Sequence, residues 1–344
     1  MQANITTSSH LVVLGTGGTI AGEAGRPDDN IGYRAAQRGV ADLLAGLPLA
    51  QGVTVHCEQV AQLDSKDMDH PTWRVLLERV LHWQADPGVR GVVITHGTDT
   101  LEETAYFLSA TLGHCAKPVV LTCSMRPATA LAPDGPQNLV DAVAVASDPR
   151  AAGVLVVCAG LVHEAGSVQK VHTYQPDAFS SGDAGPCARL YEGQVNWLRA
   201  VPLNEAGDQA GTRAAPCLAL PAAEWPWVSL LYSHAGAQGR EVDALVAQGV
   251  RGLVIAATGN GTLNQGLDQA LQRAAASGVA VVRSSRCAFG PVLVTQAGGW
   301  PVMPGLNPVK ARVALMLQWM AWRRVAALFP GAKKPPGGGF WPAV

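Results

Sequence analysis

At 344 residues, 48% hydrophobic and 15% charged, the chain can bury a large core and is expected to form about two domains, because single cores stop growing near ~250–300 residues. A formal net charge of −1 gives no whole-chain field to steer it to nucleic acid or a membrane surface, and the low charged fraction fits an oligomer that hides much of its surface. Met1–His10 has neither a basic n-region nor a hydrophobic h-region, and no apolar run approaches the ~18 residues of a membrane span, so neither a signal peptide nor a membrane partner is expected.

The first predicted element is an apolar strand from His10 that empties into Gly15-Thr16-Gly17-Gly18-Thr19-Ile20-Ala21-Gly22. A dinucleotide loop would need Gly where Ile20 stands, and a P-loop would need Gly-Lys-Ser/Thr. What remains is one hydroxyl, Thr19, presented at the C-terminal end of a strand, the edge where open parallel sheets bind ligands. Glu23–Arg34, rich in Gly, Pro, Asp and Asn, reads as a long loop of the lid kind and carries the aromatic hydroxyl of Tyr33. A helix near Gly39–Leu47 and a strand near Val53–Val60 follow. The polar turn Asp64-Ser65-Lys66-Asp67 then opens a helix starting near Pro71, with Ser65 read as a cap or a ligand contact.

The central element is Gly91–Thr95, a buried parallel strand, running through His96-Gly97-Thr98-Asp99-Thr100 into a helix with carboxylates in its first turn. It delivers Thr98 and Asp99 to a helix N-terminus, where unpaired N–H groups favour developing negative charge; Gly for the turn and Thr for a cap account for the same residues structurally. Beyond it come a strand at Pro118–Cys123 ending in Ser124, a helix at Gly135–Ser147, a strand at Gly153–Gly160, and a polar stretch Glu164–Phe179 holding Lys170, which by spacing alone reads as solvated surface. Strands alternating with amphipathic helices give an α/β fold: a larger N-terminal domain with a mostly parallel sheet flanked by helices, over residues 1–190. Residues 191–224 read as a linker and 225–344 as a smaller α/β C-terminal domain, with a strand at Val228–Tyr232, a helix at Glu241–Gln248, a strand at Leu253–Ala257 and the loop Thr258-Gly259-Asn260-Gly261-Thr262. A helix at Leu263–Ala276, a strand at Val279–Arg283, a helix from Asn307 to about Val325 and an irregular tail at Pro330–Val344 complete the pattern.

After Asp268 there are no acidic residues and nine basic ones, so this end carries +9 and the first 268 residues −10. Scattered through apolar segments without stacked aromatics, these cations are expected to meet acidic surfaces of the protein itself rather than nucleic acid. Seven cysteines form no C-x-x-C pair, and two lie in apolar strands, which points to reduced thiols and a cytoplasmic setting. No metal-ligand cluster or cofactor motif is visible, so no cofactor is expected.

Four separated stretches resemble the bacterial-type L-asparaginases: Thr16–Gly22, His96–Ala105, Met125-Arg126-Pro127 with Asp134–Leu139, and Asn307–Arg312. They span nearly the whole chain. The resemblance implies a hydrolase that converts L-asparagine to aspartate and ammonia through a threonine acyl-enzyme, with L-glutamine as a second substrate. By the same resemblance Thr19 is the nucleophile, Tyr33 assists it after a one-residue shift of the loop, and Thr98, Asp99 and Lys170 complete the proton-handling network. The Thr98 backbone N–H is implied as the oxyanion donor, a contact typically worth ~3 kcal/mol. Substrate binding is implied for Ser65, Asp99, Asn260 and the Ser124 carbonyl. Lys66 stands where many relatives have Gln, and it is expected either to alter contacts to the α-carboxylate or to hold Asp67. The region after Arg286 lacks the acid that the family often supplies from a neighbouring subunit. The resemblance also implies a homodimer or homotetramer, because the family's site lies between one subunit's first domain and its neighbour's second. Another small-amide hydrolase on the same fold and a non-catalytic amino-acid sensor remain as alternatives.

Overall fold

The computed structural model describes residues 9–113, 115, 117–200, 213–294 and 299–328. Among them the chain divides into two compact units, the first ending at Arg213 and the second starting at Ala214.

In the first unit, strands and helices alternate: β1 (His10–Gly17), α1 (Val40–Leu44), β2 (Val55–Leu63), α2 (His70–Ala85), β3 (Val89–Thr95), α3 (Leu101–Leu112), β4 (Val119–Thr122), α4 (Gly135–Ser147) and β5 (Val154–Cys158). Then come β6 (Leu161–Glu164), a small antiparallel hairpin of β7 (Gln169–Lys170) and β8 (Phe179–Ser180), β9 (Ala188–Tyr191) and β10 (Gln194–Trp197). Eight strands form one sheet in the order β10-β9-β6-β5-β4-β3-β1-β2, parallel from β2 to β5 and antiparallel from β5 outward. Continuous apolar runs explain the parallel part: the side chains of Leu11–Leu14, Val92–Ile94, Val119–Leu121 and Leu155–Val157 are all fully buried, as strands covered on both faces require. Leu139, Val143 and Ala146 of α4 pack with Leu11, Val93 and Val120 in that core, and each fully buried Val or Leu contributes about 1.5–3 kcal/mol.

β10 lies inside the stretch expected to be linker. Its pairing with β9 explains why: Ala188 and Leu190 turn inward while Arg189 and Tyr191 turn out, so the outer hairpin covers the sheet edge with only half its residues apolar. The second unit opens with α5 (Ala215–Ala219), also within the expected linker.

That unit continues with β11 (Val228–Tyr232), α6 (Arg240–Ala247), β12 (Gly252–Ala257), α7 (Gln265–Ala276), β13 (Ala280–Ser285) and α8 (Pro308–Leu328). The three strands form a parallel sheet in the order β11-β12-β13. Leu253 and Ile255 pack with Val242 of α6 and Leu267 and Leu271 of α7, while Gly252 leaves room for Leu315 of α8. Asn264 caps α7 by accepting from Leu267 N, and Asn307 accepts from Lys310 N at the start of α8. Of the late basic residues, Arg273 pairs with Asp243, Arg283 and Arg286 donate to the Gly261 and Ser233 carbonyls, and Lys310 is buried. Lys333, Lys334 and the tail expected at Pro330–Val344 lie outside the described residues. No described helix is long and apolar enough to cross a membrane.

The strand order sets the binding edge. The chain leaves β1 for β2 on one side and leaves β3 for β4 on the other, so the C-terminal ends of β1 and β3 flank a topological switch point where a crevice opens. Across it, backbone meets backbone. A Cβ at Gly18 would sit 2.4 Å from Gly97 Cα and N, and Gly18 has φ 82° and ψ −174°, a conformation populated essentially by glycine alone. Gly18→Ala is therefore expected to lower unfolding stability by about 3 kcal/mol, read as a shift of denaturant midpoint. Gly25→Ala, where a Cβ meets nothing within 4 Å, is the control and should change it by less than about 0.5 kcal/mol.

Candidate active site

The loop after β1 is anchored before it turns. Thr16 Oγ1 donates to the Thr95 carbonyl at 2.8 Å, tying the end of β1 to the end of β3. Thr19 follows, buried, with its hydroxyl 2.7 Å from the Tyr33 hydroxyl. Tyr33 reaches it because the loop is folded back: Glu23 and Arg34 exchange backbone hydrogen bonds of 2.9 and 2.8 Å, and Arg38 donates to the Glu23 carboxylate at 2.8 Å. The loop is also tied to its neighbour, with Ala24 N donating to Thr129 Oγ1 at 2.8 Å and Leu131 N to the Pro27 carbonyl at 3.0 Å. At its tip the Asp29 carboxylate accepts the Gly32 and Ile31 N–H groups, which hold it below the usual carboxylate range.

The loop after β3 carries the second group. Lys170 Nζ, on the β7–β8 hairpin, donates to Thr98 Oγ1 at 2.8 Å and to Asp99 Oδ1 at 2.7 Å. Since Thr98 Oγ1 accepts from the ammonium, its own proton is left to point elsewhere. Ser65 joins the same group. Its hydroxyl accepts from Asp99 N at 3.1 Å, and its carbonyl accepts from Thr100 Oγ1 at 2.7 Å. Asp64, not Ser65, caps the short turn that follows β2.

Lys66 turns toward Asp64 at 2.5 Å and Asp67 at 3.5 Å, and the Asp64 hydrogen bond raises its pKa. Its nearer partner is Asp64, with Asp67, the neighbour it is expected to hold, farther off. Ser124, buried at the end of β4, donates its hydroxyl to the Arg126 carbonyl at 2.7 Å. The turn it opens is held by Asp134, which accepts from Met125 N and Arg126 N at 2.9 Å each. Asn260 belongs to the second unit. It is exposed, and its amide is committed to one residue: Nδ2 donates to the Leu293 carbonyl at 3.0 Å and Oδ1 accepts from Leu293 N at 2.7 Å.

Thr19 and Tyr33 thus form one pair, and Thr98, Asp99, Lys170 and Ser65 a second cluster. The sequence reading passed over His96, Thr104 and Trp73, buried beneath that cluster. Trp73 Nε1 donates to Thr104 Oγ1 at 2.9 Å, Thr104 Oγ1 lies 3.0 Å from His96 Nε2, and His96 Nδ1 lies 2.7 Å from the Gly97 carbonyl. The signal was a His inside an apolar strand end with a Thr eight residues on, one turn into the next helix. Burial pushes the His96 pKa down to about 4. Next to Ser124, the Cys123 thiol is raised well above its ordinary value by its hydrogen bond to Cys158 and by burial, so at neutral pH it is a protonated thiol rather than a nucleophile.

A hydroxyl beside a phenol at one strand end and a Thr–Asp–Lys cluster at the next supply the groups an acyl-transfer amidohydrolase needs. Comparison with known proteins gives the family. The profile described as Asparaginase, N-terminal matches residues 10–203, and that of the Glutaminase/Asparaginase C-terminal domain matches residues 227–326. L-asparaginase 2 of Escherichia coli is 37% identical over 316 residues, covering 90% of this chain and 88% of that protein. A glutaminase-asparaginase of Pseudomonas fluorescens is 36% identical, covering 91% of this chain and 86% of that protein. The crystal structure of a probable cytoplasmic L-asparaginase from Campylobacter jejuni superposes with a TM-score of 0.81 at 36% identity, covering 90% of this chain and 95% of that one. The chain belongs to the asparaginase family.

A buried His that stays neutral in the fold shapes the acid limb of stability. Unfolded, His96 takes up a proton near 6.5; folded, it resists until about 4. The unfolded state therefore binds more protons across that window, and stability falls as pH drops from about 6.5 and levels near 4, by about 3 kcal/mol from this group. Denaturant titrations of wild type and His96→Asn at several pH values should show the variant losing less stability between pH 6.5 and 4.

Proposed function

We propose that this protein hydrolyses the side-chain amide of L-asparagine to L-aspartate and ammonia, with Thr19 as nucleophile. The observation that carries this reading is the Lys170–Thr98–Asp99 cluster beside a buried Thr19 hydroxyl that already has a phenolic partner. Thr19 Oγ attacks the amide carbon and its proton passes into the Tyr33 contact. Ammonia leaves carrying a proton, and an acyl ester on Thr19 remains. Water, directed by Thr98, whose hydroxyl accepts from Lys170, then adds to that ester; the acyl–Oγ bond breaks, a proton of the water returns to Thr19 Oγ, and aspartate leaves. The Thr98 N–H stabilises the oxygen anion of each tetrahedral state.

Substrate is held at its amino-acid end. Asp99, half-exposed, offers its carboxylate to the α-ammonium, and Ser65 with the N–H groups beside it receives the α-carboxylate. Lys66, drawn to Asp64 and Asp67, lends positive charge to the rim. The Ser124 carbonyl is the candidate contact for the amide nitrogen, and Asn260, exposed and bonded to Leu293, is a further candidate substrate contact. Glutaminase-asparaginase action is the second reading, favoured by the Pseudomonas fluorescens relative. We infer a homodimer or homotetramer, supported by Phe289, Leu293 and Val294, which are 60–65% exposed on the second unit. Seven free cysteines, five of them buried, support a reducing, cytoplasmic setting.

Ammonia release measured side by side on asparagine and glutamine tests the function. Thr19→Ala and Thr98→Val should each lower kcat by about 1,000-fold or more with unchanged circular dichroism and melting cooperativity. Turnover retained in either variant rules out the assigned role, and an amino-acid ligand bound without any ammonia release by wild type points to a sensor instead.

A further inference from the structure

The carbonyl of Gly97 and the N–H of Thr98 belong to one trans peptide, so they point in opposite directions and fixing one fixes the other. What fixes the carbonyl is His96. Its Nδ1 lies 2.7 Å from Gly97 O, and a carbonyl oxygen can only accept, so the ring proton must sit on Nδ1. A neutral imidazole has one such proton, which leaves Nε2 as an acceptor for Thr104 Oγ1 at 3.0 Å. Thr104 is equally constrained, because Trp73 Nε1, a donor only, already occupies its oxygen at 2.9 Å. Every proton in the chain Trp73 → Thr104 → His96 → Gly97 is thereby assigned. All three side chains are buried: His96 and Thr104 are fully enclosed, and Trp73 is 3% exposed and stacked on Phe107 at 4.8 Å between centroids.

Nothing on Gly97 itself orients that peptide. Gly97 has no side chain, and none would fit, since a Cβ there would fall 2.4 Å from Ser65 Oγ. Glycine also has the widest choice of backbone angles, so the plane of the peptide after Gly97 is fixed by its hydrogen bonds, and a rotation would swing the Thr98 N–H away from the reacting oxygen. We propose that His96, held in its Nδ1–H form by Thr104 and Trp73, is a positioning residue that locks and polarises the Gly97–Thr98 peptide and so aims the Thr98 N–H at the oxygen anion of acyl transfer. The proposal rests on the amide-hydrolase reading above. Donation to Gly97 O also makes the opposite end of the same peptide a stronger donor, the usual cooperativity of linked hydrogen bonds.

Two substitutions separate positioning from packing. In His96→Asn the side-chain amide nitrogen lies where Nδ1 was and can still donate to Gly97 O; in His96→Gln it lies at the Nε2 end, facing Thr104. His96→Gln is expected to lose about 10- to 100-fold in kcat with KM changed less than about threefold, as a donor used in the transition state should, while His96→Asn keeps kcat within about threefold of wild type. A His96→Gln enzyme with wild-type kcat, or an Asn variant as slow as the Gln variant, overturns the proposal. A second measurement needs no folded variant: ¹⁵N-histidine NMR of the wild-type protein at neutral pH should show His96 as the Nδ1–H tautomer, and an Nε2–H tautomer or a doubly protonated ring overturns it. Wild-type ammonia release is the control that separates the two readings. If it is absent, the amidohydrolase assignment fails and takes this one with it; if it is present and unaffected by His96→Gln, only the positioning role fails.

Discussion

Everything at the candidate site depends on two stretches of backbone meeting where no side chain stands between them. Gly18 and Gly97 approach so closely that a single Cβ would overlap the opposite main chain. The next residue on each side is a threonine. Parallel strands β1 and β3 bring the two loops out at the same sheet edge, and the reversal of strand order at that point keeps their onward connections from covering the crevice. Sheet topology thus delivers the loops to within reach of one another, and the glycine contact sets the remaining distance.

The loops are then held mainly by side chains bonded to backbone. Thr16 reaches Thr95 O, Thr100 reaches Ser65 O, Asp99 N reaches Ser65 Oγ, and Asp134 takes two N–H groups of the turn after β4. Each such bond contributes only about 1 kcal/mol net, more where a carboxylate accepts. Their value for chemistry is geometric. Three strand ends, from β2, β1 and β3, are cross-braced, and the turn after β4 is tied to the β1 loop by Ala128 N donating to the Gly22 carbonyl, so the polar groups share one preorganised surface, as electrostatic stabilisation in general requires. The cost appears as a buried neutral His and a buried Thr–Trp pair in place of apolar packing.

How much of this was legible in the sequence follows from the range of the forces involved. β1, β3, β4 and β5 are continuous apolar runs and read correctly as buried parallel strands, because burial on both faces leaves a purely local mark. β7, β8 and β10 left none: two to four residues long, they exist through pairing with partners that local periodicity does not reveal. Lys170 illustrates the consequence. By spacing it read as solvated surface, and only the resemblance linked it to Thr98, since its place depends on a two-residue hairpin. Ser65 was read as a possible cap of its own turn, yet Asp64 takes that role and the Ser65 hydroxyl serves an N–H thirty-four residues away. His96 stood inside the recognised motif and was passed over because its meaning lies in two partners on α2 and α3, joined only once those helices pack.

The Tyr33 loop completes the pair at Thr19 through contacts made by other residues. Its contact with Thr19 exists only while residues 23–34 are folded over it, and the restraints on that fold are few: one backbone pair between Glu23 and Arg34, an ion pair to Arg38, and single bonds to Thr129 and from Leu131. The ion pair is substantially exposed, so it adds little, ~0–1 kcal/mol before salt screening. The remaining bonds add about 1 kcal/mol each, giving a few kcal/mol in all. Together with the Asp29 turn at the tip, which accepts the Ile31 and Gly32 N–H groups, they hold the twelve residues over Thr19. Ile31, 80% exposed at the loop tip, adds no apolar anchor, so the hold on Tyr33 is polar and lies at the base and flank of the loop rather than at its end.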